Sequence, residues 1–354
     1  QSDDEARAMR RIVYDNDHPS KRLAKAGVPP RWGPAGPNWS ADSAQTPKAF
    51  THTGGELTFL RYAHRVSAPP TDLRADGQVE PFGQSRYIDD WDKVAKGAPA
   101  AGLFPPSPIT NFLGYNAGAE ASPGGGVEVR QTGQYWVGDL MLECAAKVSG
   151  PQDAVVLELS RGVNRFQAKF ADGKLALVRV GPGGKELASV PSPITGAGEY
   201  ALRFANFDRR LRVWVNDRPV DLGPAADYSP DGATGFEAAV GALTGGAFVP
   251  RPDGHTLEND ILAPASVGAS GTVTVSKVKL WNDTFFTPAE NARPTLDPDD
   301  PVDTFYVQPG HYLVLGDNSG QSSDSRKWGL VPDRLMLGKA IFVFFPLNRI
   351  GFIE

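Results

Sequence analysis

A chain of 354 residues is long enough for about two domains of ordinary size. Its formal net charge of −5, with no basic run, argues against nucleic acid as a main partner. Its single cysteine excludes an internal disulfide and a cysteine-built zinc site, while 39 glycines and 31 prolines favour many short strands over long helices.

Residues 1–50 read as an N-terminal arm. The stretch 3–14 predicts an amphipathic helix capped by Asp3 or Asp4. Pro29, Pro30, Pro34 and Pro37 then interrupt regular structure, so Trp32 and Trp39 are expected to clamp the arm onto the next domain. Residues 56–64 form the first predicted strand, carrying Leu57 and Phe59, and Pro69 and Pro70 close it. Residues 71–125 are polar and rich in glycine and proline, with 87–91 and 109–115 as expected ordered islands.

A regular β series follows. In 137–148, alternation puts Leu140, Leu142, Cys144 and Ala146 on one face, which makes Cys144 a core residue. Strands are predicted over 154–159, 164–170 and 175–180, the last two joined by a hairpin turn at Asp172-Gly173. Strands over 198–208, 211–215 and 218–220 come next, with Asn216-Asp217 as a second tight turn. An excursion over roughly 222–270 precedes a last strand, 271–281. Short alternating strands at this spacing predict a mainly β fold, an antiparallel, jelly-roll-like β-sandwich over 51–287. The paired segment 204–217 resembles laminin-G and concanavalin-like jelly rolls. Pro288, Pro294, Pro298 and Pro301 mark 288–305 as a linker.

The last segment, 306–354, holds the most specific pattern. Tyr312 to Leu315 predicts a buried strand. Gly316, Asp317 and Asn318 then supply turn chemistry, and a polar loop carries Ser322, Asp324 and Arg326. Residues 338–346 predict a second buried strand ending at Pro346. The ordered run Gly316-Asp317-Asn318-Ser319, Ser322, Asp324-Ser325-Arg326, Trp328-Gly329-Leu330-Val331-Pro332, Gly338-Lys339-Ala340 and Phe345-Pro346 resembles type I signal peptidases. These are membrane-anchored serine–lysine proteases that cut leader peptides from exported proteins.

The resemblance implies a supporting role in catalysis for three residues. Ser322 would hydrogen-bond the catalytic lysine amine and orient it. Asp324 and Arg326 would pair to fix the loop around it, while Gly316, Asp317 and Asn318 hold the turn. It also implies leader peptides as partners and a place on the exported side of the cytoplasmic membrane. The family's nucleophile segment, of Ser-Met-x-Pro-Thr type, and its Lys-Arg-x-x-Gly-like strand have no recognisable counterpart here. Ser107-Pro108-Ile109-Thr110 is too weak a match, and no lysine strand follows it. No run reaches the roughly 18 apolar residues that span a bilayer, and the chain opens at Gln1 without a signal-peptide pattern. The expectation is thus a soluble piece of a membrane-anchored parent, inactive alone, whose sandwich is inserted between the catalytic core and the final boxes. Residues 1–50 and 300–354 would then pair across the base of that insertion.

Other functions compete with this one. The sandwich could be a non-catalytic module that binds carbohydrate or a partner protein. A carboxylate hydrolase finds no convincing pair of acids in the sequence. Taken without the resemblance, Asp324 and Arg326 merely tie a surface loop at little net gain. No cofactor or metal is expected. His18, His52, His64, His255 and His311 lack metal-ligand spacing. Asp227, Asp231, Asp253, Glu258 and Asp260 lack the tight spacing of a calcium loop. Tyr87, Trp91, Tyr115 and Tyr135 suit core or clamp positions better than sugar stacking.

Overall fold

The alternating apolar runs fold as antiparallel strands because each one can bury a single face. In the computed structural model these strands belong to two units, Gln1–Thr284 and Phe285–Glu354. The structure describes residues 3–8, 10–65, 72–73, 79–80, 106, 108–109, 119–121, 127–129, 136–162, 164–180, 184–228, 257–283, 306–316, 322–345 and 350–352.

The first unit opens with helix α1 (Asp3–Ala8), strand β1 (Arg10–Asp15), helix α2 (Lys21–Lys25) and strands β2 (Trp32–Pro34), β3 (Trp39–Ala41) and β4 (Ala49–Tyr62). The β series is β5 (Leu140–Val148), β6 (Ala154–Arg161), β7 (Asn164–Ala171), β8 (Lys174–Val180), β9 (Lys185–Pro191), β10 (Gly198–Phe207), β11 (Arg210–Val215) and β12 (Arg218–Pro219). Helix α3 (Leu257–Leu262) and the long strand β13 (Ala265–Asp283) follow. All these strands join one 13-stranded antiparallel sheet with the central order β9-β8-β7-β6-β13-β5-β10-β11-β12.

Strand β13 organises this sheet. Its first half pairs with β6, from Ala154↔Ser270 to Leu159↔Ala265. Its second half pairs with β5, from Val273↔Val148 to Asn282↔Leu140. Strand β4 follows β13 through both halves, with a register shift between Ala269 and Gly271. The sheet therefore folds back on itself at this corner and closes a sandwich, the mainly β fold predicted. Such corners are made by strands that change sheets through bulges. Gly271 has φ 87°, and a Cβ there would lie 2.0 Å from Asp153 Oδ1. That carboxylate accepts the N–H groups of Thr272 (3.0 Å), Gly150 (3.0 Å) and Ser149. From β4, His52 Nδ1 donates to the Gly271 carbonyl at 3.0 Å.

Between the two halves lies a core that includes Leu142, Cys144, Leu157, Phe166, Phe204, Val213, Val267 and Leu280. Burial pushes the Cys144 thiol up to about 12, so it is an inert core group. A second, smaller cluster of Met141, Ala205, Phe207 and Trp214 lies on the opposite face of β5, β10 and β11, and Ala6 of α1 covers it.

Three stretches differ from the sequence expectation. Only Asp3–Ala8 of the predicted 3–14 helix is helical; Arg10–Asp15 is β1, paired with the end of β13. Ile12, Val13 and Tyr14 are β-branched or aromatic, and a strand partner outweighs a short helix with a costly nucleus. Residues 10–41, read as an arm, thus supply three strands to the sheet. Strand β13 begins at Ala265 and so takes in six residues of the expected excursion. The tight turns fall where predicted, with positive φ at Asp172 and Gly173 and at Asn216 and Asp217.

Asp139, just before β5, carries the clearest pH signal. Burial pushes its carboxyl up to about 6; Arg161, 2.8 Å away, opposes this, and Asp283 and Asp208 reinforce it. The folded state therefore holds this proton more tightly than the unfolded chain, whose aspartates titrate near ~4. Stability falls as pH rises from roughly 4 to 6 and stays lower above that range. Asp139→Asn should remove this pH dependence, as measured by urea melts at pH 5 and pH 7.

In the second unit, strand β14 (His311–Tyr312) pairs with β15 (Val331–Pro332), with helix α4 (Ser325–Trp328) between them in sequence. Strand β16 (Phe342–Val343) pairs with β17 (Gly351–Phe352). The two buried strands expected here are short and open: Val314 is 37% exposed and Phe344 77%. Hydrophobic pattern fixed their apolar character, but their faces are not covered by the described residues.

Candidate functional site

The segment from Val314 to Gly316 and the start of α4 are brought side by side. Asp324 stands at the N-cap of α4, where its side chain accepts the Arg326 backbone N–H at 3.1 Å. Asp at this position satisfies a donor that the first helical turn leaves free. Its other oxygen accepts the Gly316 N–H at 2.8 Å.

Arg326 closes a two-pronged pair on the same carboxylate. Nε reaches Oδ1 at 2.9 Å and Nη2 reaches Oδ2 at 2.6 Å. Both side chains are nearly inaccessible, at 5% and 4% exposure. This fork geometry is among the stronger side-chain pairings. The Arg326 hydrogen bonds hold the Asp324 carboxyl far below the usual carboxylate range. Desolvation opposes them, while the Gly316 and Arg326 N–H groups and the Ser322 hydroxyl add to them. The pair is thus buried and multiply bonded, unlike a solvent-exposed tie of the kind that contributes little.

Ser322 is half-buried beside Gly316. A Cβ at position 316 would lie 1.8 Å from Ser322 Oγ, so only glycine leaves room for that hydroxyl. Ser322, Asp324, Arg326 and Gly316 therefore form one cluster. Asp317 and Asn318, the other two turn residues predicted from sequence, lie outside the described residues. Sequence reasoning named Ser325 within the matched run and gave it no role. It is 1% exposed, its N–H donates to the Val314 carbonyl at 2.9 Å, and its hydroxyl accepts the Val314 N–H at 2.9 Å. A serine between two residues already singled out gave no separate signal.

The remaining candidates separate. On the sheet face opposite the main core, Arg61 bonds Ser266 (2.9 Å) and Glu158 (3.3 Å), and Gln167 bonds Glu158 at 2.7 Å. Arg165 pairs with Asp260 of α3. Asp227 is bonded to Arg210 at 3.2 Å. Asp231, Asp253 and the side chain of Glu258 lie outside the described residues, as do Tyr87, Trp91, Tyr115, Tyr135, His255, Ser107 and Thr110. Among the described residues, no group of three His, Cys, Asp or Glu is placed to hold a metal ion. Trp32 packs on Tyr62 at 5.4 Å between ring centres, and Trp39 meets His52 edge-on at 5.0 Å.

The family described as Signal peptidase, peptidase S26 matches residues 211–345. The chain's C-terminal part is similar to type I signal peptidases. A probable signal peptidase I-2 from Synechocystis sp. is 41% identical over 66 residues, 19% of this chain and 26% of that protein. Signal peptidase I of Pseudomonas aeruginosa is 34% identical over 87 residues, 22% of this chain and 30% of that protein. The chain thus spans under a third of the length of either relative. The family match starts at position 211, in β11 of the sandwich unit. Among solved structures, the carbohydrate binding module CBM66 from Bacillus subtilis aligns with TM-score 0.34 and 9% identity, over 71% of this chain and 94% of that one.

Proposed function

We propose that the cluster of Gly316, Ser322, Asp324 and Arg326 is the supporting side of a serine–lysine centre that cleaves leader peptides. The observation that carries this reading is the direction of the hydrogen-bond chain. Arg326 donates twice to Asp324, and Ser322 donates its hydroxyl proton to the same carboxylate. With that proton committed, the Ser322 oxygen can take part in a further hydrogen bond only as an acceptor. A lysine acting as general base needs such a partner, because it must keep its lone pair for the nucleophile while one of its N–H groups is anchored. Desolvation lowers the pKa of that lysine, and an anionic neighbour would raise it again. The Asp324 charge is compensated by Arg326, which limits this opposition.

In this reading the nucleophilic serine and the lysine come from outside these 354 residues, in a membrane-anchored parent on the exported side of the cytoplasmic membrane. Among the described residues, no helix is long and apolar enough to cross a membrane. The sandwich would then be an insertion ahead of the family's final boxes.

The test compares the intact gene product with the 354-residue chain on a leader-peptide substrate. The intact product should cleave, and Ser322→Ala should lower kcat by about 10–100-fold, the range expected when one positioned hydrogen bond of an activated base is removed. The 354-residue chain should not cleave. Turnover by that chain, abolished in Ser322→Ala, would make Ser322 the nucleophile and overturn the supporting role. No turnover by the intact product would end the peptidase reading and leave the sandwich, as a binder of carbohydrate or protein, to be assayed by tryptophan fluorescence.

A further inference from the structure

Ser325 has a task that the Asp324–Arg326 pair does not cover. In an ordinary antiparallel ladder, the N–H groups of Val314 and Gly316 would be taken by backbone carbonyls of the facing segment. Here those carbonyls are already used by the helical turn. The Asp324 carbonyl accepts the N–H of Lys327 at 2.8 Å and of Trp328 at 3.2 Å, and the Ser325 carbonyl accepts the N–H of Gly329 at 2.9 Å. A part-buried N–H held against a facing segment without an acceptor is costly, and each of these is met by a side chain instead. Gly316 finds the Asp324 carboxylate at 2.8 Å, and Val314 finds the Ser325 hydroxyl at 2.9 Å.

We propose that Ser325 is a positioning residue, whose hydroxyl replaces a backbone carbonyl and docks the Val314–Gly316 segment onto the turn that carries Ser322. The two substitutes act at alternate residues of one segment, as two rungs of a ladder do. Asp324 holds Gly316 and Ser325 holds Val314, so together they set both the distance and the angle of the segment. The tolerance at Gly316 is small, since even a Cβ would overlap Ser322 Oγ. Removing the hydroxyl leaves Val314 held only by its carbonyl, which accepts the Ser325 N–H at 2.9 Å, so the segment can pivot about the Gly316 rung and move the Ser322 acceptor away from a lysine amine. The catalytic consequence rests on the function proposed above; the docking itself does not.

The experiment has two arms. In the first, amide exchange is followed by NMR on the 354-residue chain. Ser325→Ala should speed exchange at Val314 by tenfold or more while leaving the β5–β10 ladder unchanged. Ser325→Cys is close to serine in size and a weak acceptor, so it should behave like the alanine variant even if alanine perturbs folding. Ser325→Thr keeps the hydroxyl and should restore protection. Unchanged exchange at Val314 in both the alanine and cysteine variants would overturn the docking role. In the second arm, leader-peptide cleavage by the intact gene product should show kcat lowered about tenfold in Ser325→Ala and Ser325→Cys at unchanged KM. The acid limb of the pH profile should move to lower pH, because an acceptor favours the ammonium form of the lysine and its loss favours the neutral amine. A merely structural defect lowers the amount of active protein and leaves that limb in place, so faster exchange with an unmoved limb would overturn the positioning role. Absence of cleavage by the unaltered protein counts against the proposed function alone, and the exchange arm still decides the role of Ser325.

Discussion

Replacing Asp324 with alanine should destabilise the loop of the second unit by about 3–5 kcal/mol, the cost of breaking a buried charge pair. The change does three things at once. It removes both hydrogen bonds from the Arg326 guanidinium to the carboxylate, in a site where that side chain is 5% exposed. It removes the acceptor of the Gly316 N–H, and it removes the cap of α4. Hydrogen exchange over 310–316 and 322–330 should rise to the level of the unfolded chain, whereas the sandwich strands should keep their protection. Persistence of slow exchange at Gly316 would show that Asp324 does not hold this segment. Asp324→Asn separates shape from charge. It can still accept from Gly316, so it should lose less than alanine.

The same carboxylate gives an acid limit with a defined sign. Its folded pKa is depressed, first of all by the Arg326 hydrogen bonds. The stabilisation it provides is therefore complete above the unfolded value near ~4 and is lost as pH falls toward the folded value. Exchange protection at Gly316 should hold from pH 7 to about 4 and decline below that, and Asp324→Asn should abolish this acid dependence.

Gly271→Ala should be the most damaging methyl group added to the sandwich. Its φ of 87° costs a residue with a Cβ about 1–3 kcal/mol. The Cβ would also displace an Asp153 oxygen 2.0 Å away, and Asp153 holds three backbone N–H groups at this corner. Losing one or more of these bonds adds about 1–3 kcal/mol. Together, about 2–6 kcal/mol, this predicts a fall in Tm of the sandwich of roughly 4–24 °C, at about 2–4 °C per kcal/mol. Gly33→Ala is the control, because a Cβ there meets nothing within 4 Å. Equal melting of the two variants would show that the corner does not depend on Gly271.

What could be read from the sequence was what depends on neighbours a few residues away. Alternation at Leu140, Leu142, Cys144 and Ala146 identified β5 because a strand that buries one face must repeat every two residues. Asp172-Gly173 and Asn216-Asp217 marked their turns because those residue types tolerate positive φ. The Asp324–Arg326 pair spans two residues, so its partners could be named before any fold was known. What only the tertiary structure decided were the contacts with no local signal. The stretch Ala265 to Ser270 has small side chains and no bulky alternation; it is a strand because β6 lies on one side of it and β4 on the other. Arg10–Asp15 carries a pattern open to either form, and pairing with β13 settles it as strand. Gly316 and Ser322 are six positions apart, and Val314 and Ser325 eleven. Their closeness comes from a chain reversal, and their partners come from a helical turn that has already used its own carbonyls. Propensity and periodicity act along the chain, whereas a missing acceptor is a property of two segments brought together.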